Sequence, residues 1–159
     1  MITHAFPKVE QMSPRYLNLM SKRKCIHFDA YYDETLFIGF TYLVESKNMV
    51  FITYIAVNNE IRSKGYGSQI LNTIKSRFPG KTISLNVERL IEDCDNYEQR
   101  VKRVKFYERN NFFLTDKLVS NGKEKFSIMS TEKEFSIKDY RNALKKYSFG
   151  LYAPKVTKN

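Results

Sequence analysis

The apolar pattern of this chain changes period at Asn58, and that change limits what it can fold into more than any other feature. Before it stand three strand-length runs, CIHFDAYYD, TLFIGFTYLVES and MVFITYIAVN. Short polar turns at Asp33-Glu34 and Ser46-Lys47-Asn48 join them, which predicts an antiparallel meander. Beyond it, Ile70, Leu71, Ile74 and Phe78 recur at helical spacing until Pro79-Gly80 ends the run. TISLNVE then reads as a strand, and a basic helix follows, ending near Asn110-Asn111. FFLTDKLVS and KEKFSIMS read as a hairpin about Asn121-Gly122. Ser13-Pro14 opens a short helix through about Lys22, and Ser136-x-x-Asp139 is a capping box opening a last one. The expected class is mixed α/β (α+β), a mostly antiparallel sheet flanked by helices. No linker or repeat divides residues 1–159, so a single domain is expected.

Composition excludes several alternatives. The longest apolar run, MVFITYIAV, falls far short of the ~20 residues a membrane span needs. Two cysteines lying far apart and two histidines predict neither a disulfide framework nor a metal site. No apolar signal core follows the N-terminus, so a cytoplasmic protein is expected. The formal charge of +10 is unevenly placed. Residues 61–81 carry +5 and residues 100–109 carry +4, while residues 82–99 between them carry −4. A nucleic-acid binder is expected to show one sustained basic stripe, and two basic blocks around an acidic one do not favour it.

The loop after the third strand is the stretch richest in chemistry. Arg62-Ser63-Lys64-Gly65-Tyr66-Gly67 separates a strand from a helix, and two glycines there let backbone approach a ligand closely. Free N–H groups of the first helical turn, with the positive helix end behind them, suit an anion such as a pyrophosphate. Arg62 and Lys64 add charge at the rim. Neither the P-loop nor the dinucleotide-binding glycine pattern fits. The alternative reading of the loop, taken alone, is a glycine-bearing loop that simply turns the chain.

With its context, the loop is similar to the GNAT superfamily of N-acetyltransferases. Arg62, Gly65 and Gly67 match its Arg/Gln-x-x-Gly-x-Gly/Ala signature. Phe106-Tyr107-Glu108-Arg109-Asn110-Asn111-Phe112 matches a later Phe/Leu-Tyr-x-x-x-Gly-Phe element, with Asn111 in place of glycine. The resemblance runs from about Phe6 to Met129. It implies acetyl-CoA as co-substrate, held in a V-shaped gap between the strands ending near Val57 and Val87. Backbone N–H groups of residues 62–68, including Ser63, Tyr66 and Ser68, would bind its pyrophosphate. The strand edge at Ile55, Ala56 and Val57 would pair with its pantetheine arm, and Lys102 or Arg103 would face its ribose phosphate. Relatives also have a first strand for which residues 1–12 offer no candidate, so that strand is expected to be missing.

On the same resemblance Tyr107 is the general acid, since a phenol can protonate a departing thiolate. Glu88 is the best placed carboxylate to take the amine's proton, directly or through water. The backbone N–H of Ile55 or Val57 would hold an oxyanion. The expected acceptor is a primary amine of a small molecule or peptide, drawn as a cation by the acidic insert at 88–98. Two other readings are a non-catalytic acyl-CoA-binding module and a basic nucleic-acid binder. Any homodimer is expected through the hairpin at 112–130 or the last helix.

Overall fold

The computed structural model describes residues 14–61, 64–92, 94–122, 124–147 and 154–158. Helix α1 (Pro14–Ser21) opens on a proline, which has no N–H to leave unsatisfied at a first helical position. It buries Leu17 and Met20, three residues apart on one face. Strands β1 (Ile26–Asp33), β2 (Leu36–Glu45) and β3 (Met49–Val57) form the expected antiparallel meander. Helix α2 (Tyr66–Arg77) leads to β4 (Thr82–Glu88), and helix α3 (Tyr97–Arg109) follows. The hairpin β5 (Phe113–Asn121) and β6 (Glu124–Ser130) precedes helix α4 (Ile137–Tyr147). Ser136 Oγ accepts the N–H of Asp139, so half of the expected capping box forms; the Asp139 carboxylate accepts from Asn48 instead.

A last strand, β7 (Lys155–Lys158), is an addition to the expected order. The sheet is seven-stranded in the order β1-β2-β3-β4-β6-β5-β7, and β3–β4 is its parallel pair. Because β7 pairs with β5, the outer edge of the hairpin is covered within the chain. Among the described residues no strand precedes β1; residues 1–12, where a first strand was sought, lie outside them.

The two sheet faces carry separate cores. Ile70, Leu71 and Ile74 of α2 and Val104 and Tyr107 of α3 pack on one face with Leu43, Ile52, Leu85 and Val87. Leu17, Met20, Tyr140, Ala143, Leu144 and Tyr147 cover the other, so α4 spends its apolar face inside the molecule. Tyr42, Tyr54, Phe51 and Phe112 are buried too, which removes them as stacking platforms for bases.

Of the sheet's register breaks, the one between β2 and β3 lies where β3 meets β4. The parallel rungs between β3 and β4 run from Met49↔Thr82 to Ile52↔Leu85 and stop there. In the β2–β3 register Tyr42 faces Tyr54 while Leu43 faces Ile52, so Thr53 is an extra residue on β3. Such a bulge bends its strand and raises local twist, which parts β3 from β4. Gly39 lies across from Val57 on this segment, where an added Cβ would stand 2.1 Å from the carbonyl oxygen of Ala56. Only glycine lets β2 follow the bent strand so closely.

Candidate active site

Beyond Ile52 and Leu85 the two strands form a fork. Tyr54–Val57 of β3 remain paired to β2, and Asn86–Glu88 of β4 remain paired to β6. Among the described residues their facing edges have no sheet partner. The N–H of Asn58 bonds to Ile38 on the β2 side. By strand alternation, the N–H groups of Val57 and Ile55 therefore point the other way, into the fork. This is the gap expected between the ends of these two strands.

The start of α2 stands at the fork's open end. Gly65, its N-cap, has φ +83°, a left-handed conformation that a side chain would strain. Gly65 has no side chain to cap the helix, so among the described residues the first-turn N–H groups, those of Tyr66, Gly67 and Ser68, have no intrahelical or side-chain capping partner. They are free to receive an anion, and the helix dipole favours one. Lys64 is exposed beside them. Arg62 and Ser63 lie outside the described residues. Gly67 serves a second purpose that the sequence did not show. A Cβ there would meet the Phe106 ring at 3.0 Å and 3.2 Å, so its absence lets α3 close against the start of α2. The Tyr66 hydroxyl donates to Asp33 at 2.8 Å, tying the loop to the β1–β2 turn.

Tyr107 lies on α3 in the same core as Ile52, Leu85, Val87, Ile55 and Val57. Its ring packs edge-on against Phe106 at 5.2 Å and Phe112 at 5.7 Å between centroids. Burial pushes its phenol up to about 12, with the nearby Arg103 charge opposing the shift. At neutral pH the group is therefore fully protonated. The turn after it closes as the sequence suggested, with Asn111 at φ +58° and the Phe112 N–H bonded to the Tyr107 carbonyl. Lys75 of α2 donates to the Asn110 carbonyl and lies over the Phe112 ring, fastening the end of α3 to α2.

Glu88 and Arg103, assigned separate roles from the sequence, are brought together. Arg103 Nη1 donates to Glu88 Oε2 at 2.5 Å. Arg100 lies 3.4 Å from Glu88 Oε1, which also accepts from Asn96 at 3.3 Å. Arg100 further binds the Asn96 side chain and the Arg89 carbonyl, so the insert after β4 is folded onto α3. Both Glu88 oxygens are engaged, and the Arg103 guanidinium is turned to Glu88. Glu92, Asp95 and Glu98 of the acidic stretch form no ion pair among the described residues; Asp93 lies outside them.

Thr53, at the apex of the fork, was not singled out from the sequence. Its Oγ1 is buried without a hydrogen-bond partner, the one such side-chain atom among the described residues. Only the strand register reveals it. Gly39, by contrast, had a legible signal, a glycine inside the apolar run LFIGF. Among the described residues no group of three or more His, Cys, Asp or Glu could hold a metal, and no helix is long and apolar enough to cross a membrane.

Comparison with known proteins bears on this arrangement. The family model described as acetyltransferase (GNAT) family matches residues 2–112. A solved protein from Bacteroides thetaiotaomicron assigned to the GNAT family is similar at 25% identity and a TM-score of 0.73, over 92% of this chain and 86% of its own. The Thermoplasma acidophilum PaiA N-acetyltransferase, solved with coenzyme A, shares the fold at 22% identity and TM-score 0.53, over 73% and 67%. A Bacillus subtilis acetyltransferase in complex with CoA does so at 14% identity and TM-score 0.55, over 76% and 84%. A search of curated proteins finds no match.

Proposed function

The chain belongs to the GNAT acetyltransferase family, and from that premise we propose that it transfers an acetyl group from acetyl-CoA to a primary amine. The observation that carries this reading is the fork itself. Two strand edges lose their pairing at Ile52 and Leu85, and a helix start with uncapped N–H groups stands at the open end. Unpaired edges suit an extended arm that bonds along them, as an added strand would. An uncapped helix start behind a left-handed glycine suits a pyrophosphate. The residues present therefore fit the co-substrate.

Acetyl-CoA supplies an activated thioester; the chain supplies position, protons and charge. Tyr66, Gly67 and Ser68 would hold the pyrophosphate through backbone N–H groups, with Arg62, Ser63, Lys64 and Gly65 around it. Ile55, Ala56 and Val57 offer the β3 edge, and the N–H of Ile55 or of Val57 would be the donor to a carbonyl oxygen that gains negative charge. Tyr107 keeps its proton at every physiological pH and is the group we assign to give it to the leaving sulfur. Glu88 enters as a brace between β4 and α3. To act as the base it would first have to release Arg103 or Arg100. Relief of the amine's proton by water is the route this pairing leaves open. Glu92, Asp95 and Glu98 of the insert, which form no ion pair among the described residues, support a cationic amine as acceptor, whether small molecule or peptide.

Purified protein incubated with acetyl-CoA and a panel of polyamines, aminoglycosides and peptides with free amino termini tests this. Free thiol should appear at a rate set by one class of amine. Thiol release that no amine raises above the hydrolysis blank would instead favour binding without turnover.

A further inference from the structure

Thr53 is the extra residue of the β3 bulge and the first beyond the last rung to β4, so it marks the apex of the fork. Its hydroxyl oxygen is buried with no hydrogen-bond partner among the described residues. A hydroxyl buried in that state destabilises the protein that holds it, and valine has the same branched shape without the cost. Side chains that break such a rule are expected where a ligand completes them.

The layout says which part of a ligand would do so. The anion site is at the open end of the fork, beyond Val57. From Val57 inward to Thr53 the β3 edge covers roughly 13 Å at about 3.3 Å per residue. An arm anchored at the helix start and laid along that edge reaches the apex with its far end, the acyl group. A threonine hydroxyl can donate, and an acyl carbonyl oxygen accepts.

We propose that Thr53 recognises the acyl group, its hydroxyl donating a hydrogen bond to the carbonyl oxygen of the bound acyl-CoA at the apex of the fork. This rests on the acetyl-CoA reading above, and deepens it. Thr53 would then separate the acylated co-substrate from free CoA, so that the spent product is held less tightly than the substrate.

Titration calorimetry of the wild type, Thr53→Val and Thr53→Ser with acetyl-CoA and with CoA tests this, together with the Tm of each free protein. Thr53→Val should weaken acetyl-CoA binding by about 3- to 10-fold, the worth of one neutral hydrogen bond, and change CoA binding by less than about 2-fold. The free Thr53→Val protein should melt about 2–4 °C higher, because it no longer buries an unpaired hydroxyl. Thr53→Ser should keep the preference for acetyl-CoA. Equal losses for both ligands, or no loss for either, would overturn the assignment. So would a fall in the Tm of free Thr53→Val, which would mean that the hydroxyl already has a partner. A wild type that binds neither molecule would remove the acetyl-CoA reading itself and this proposal with it.

Discussion

Replacing Tyr107 by phenylalanine removes one oxygen from a ring that is otherwise unchanged in its packing between Phe106 and Phe112. In the folded protein the phenol is pushed up to about 12, against an ordinary value near 10. Below pH 10 the group is protonated in both folded and unfolded chains and contributes no pH dependence. Above pH 10 the unfolded chain gives up its proton while the folded one keeps it, so the folded state loses ground as pH rises. By pH 11 the loss is on the order of 1 kcal/mol, and it stops growing once pH passes the folded value. The variant has no such group. Urea unfolding at pH 8 and pH 11 should therefore show the wild type losing about 1 kcal/mol more than Tyr107→Phe. The chain has no tryptophan, and tyrosine emission itself titrates in this range, so far-UV circular dichroism is the suitable probe. At pH 8 the two proteins should be nearly equally stable. Turnover should separate them: kcat is expected to fall tenfold or more while acetyl-CoA affinity is kept. Parallel loss of stability by both proteins up to pH 11 would refute the burial argument. Unchanged kcat would refute the proton-donor role.

Other consequences are sharper for particular residues. Gly39→Ala places a Cβ 2.1 Å from the Ala56 carbonyl oxygen, a backbone atom that cannot step aside. A cost of about 3 kcal/mol or more is expected, read as a Tm lower by roughly 6–12 °C; a Tm within about 2 °C of wild type would contradict the β2–β3 register. Glu88→Gln leaves Arg100 and Arg103 without a carboxylate. A brace predicts lost stability of about 1–2 kcal/mol and a change in kcat below about tenfold, whereas a hundredfold drop with loss of the acid limb of the pH–rate profile would make Glu88 the base. If the unpaired acidic residues of the insert draw in a cationic amine, kcat/KM should fall as ionic strength rises. A salt-independent value would end the steering idea.

Much of the fold was legible because it is written in local periodicity. The meander, the change to a helix after Asn58 and the hairpin at Asn121-Gly122 each depend on neighbours a few residues apart. Asn111 could be read as a left-handed cap for the same reason, since asparagine bears that conformation with little strain. β7 was illegible because KVTK has almost no apolar signal; it is a strand only because the β5 backbone offers it an edge. The loop that holds Gly65 and Gly67 was legible as a tight turn into a helix through the φ freedom of glycine. That Gly67 also admits the Phe106 ring depends on a contact 39 residues away. Glu88 was legible as a carboxylate at a strand end, but its partners sit 12 and 15 residues on, across a loop, and no pattern pairs them. Thr53 is the extreme case. Its identity is ordinary for a strand, and its importance comes from a register shift that only the paired strands define.

The central claim is that the fork between β3 and β4, with the start of α2 at its open end, binds acetyl-CoA. A thermal melt of the protein with and without acetyl-CoA tests it directly. At a concentration 100 times Kd the folded state should gain about 2.7 kcal/mol, a rise in Tm of roughly 5–10 °C for a chain of this size. A Tm that stays in place with acetyl-CoA, and with longer acyl-CoAs, would contradict the account.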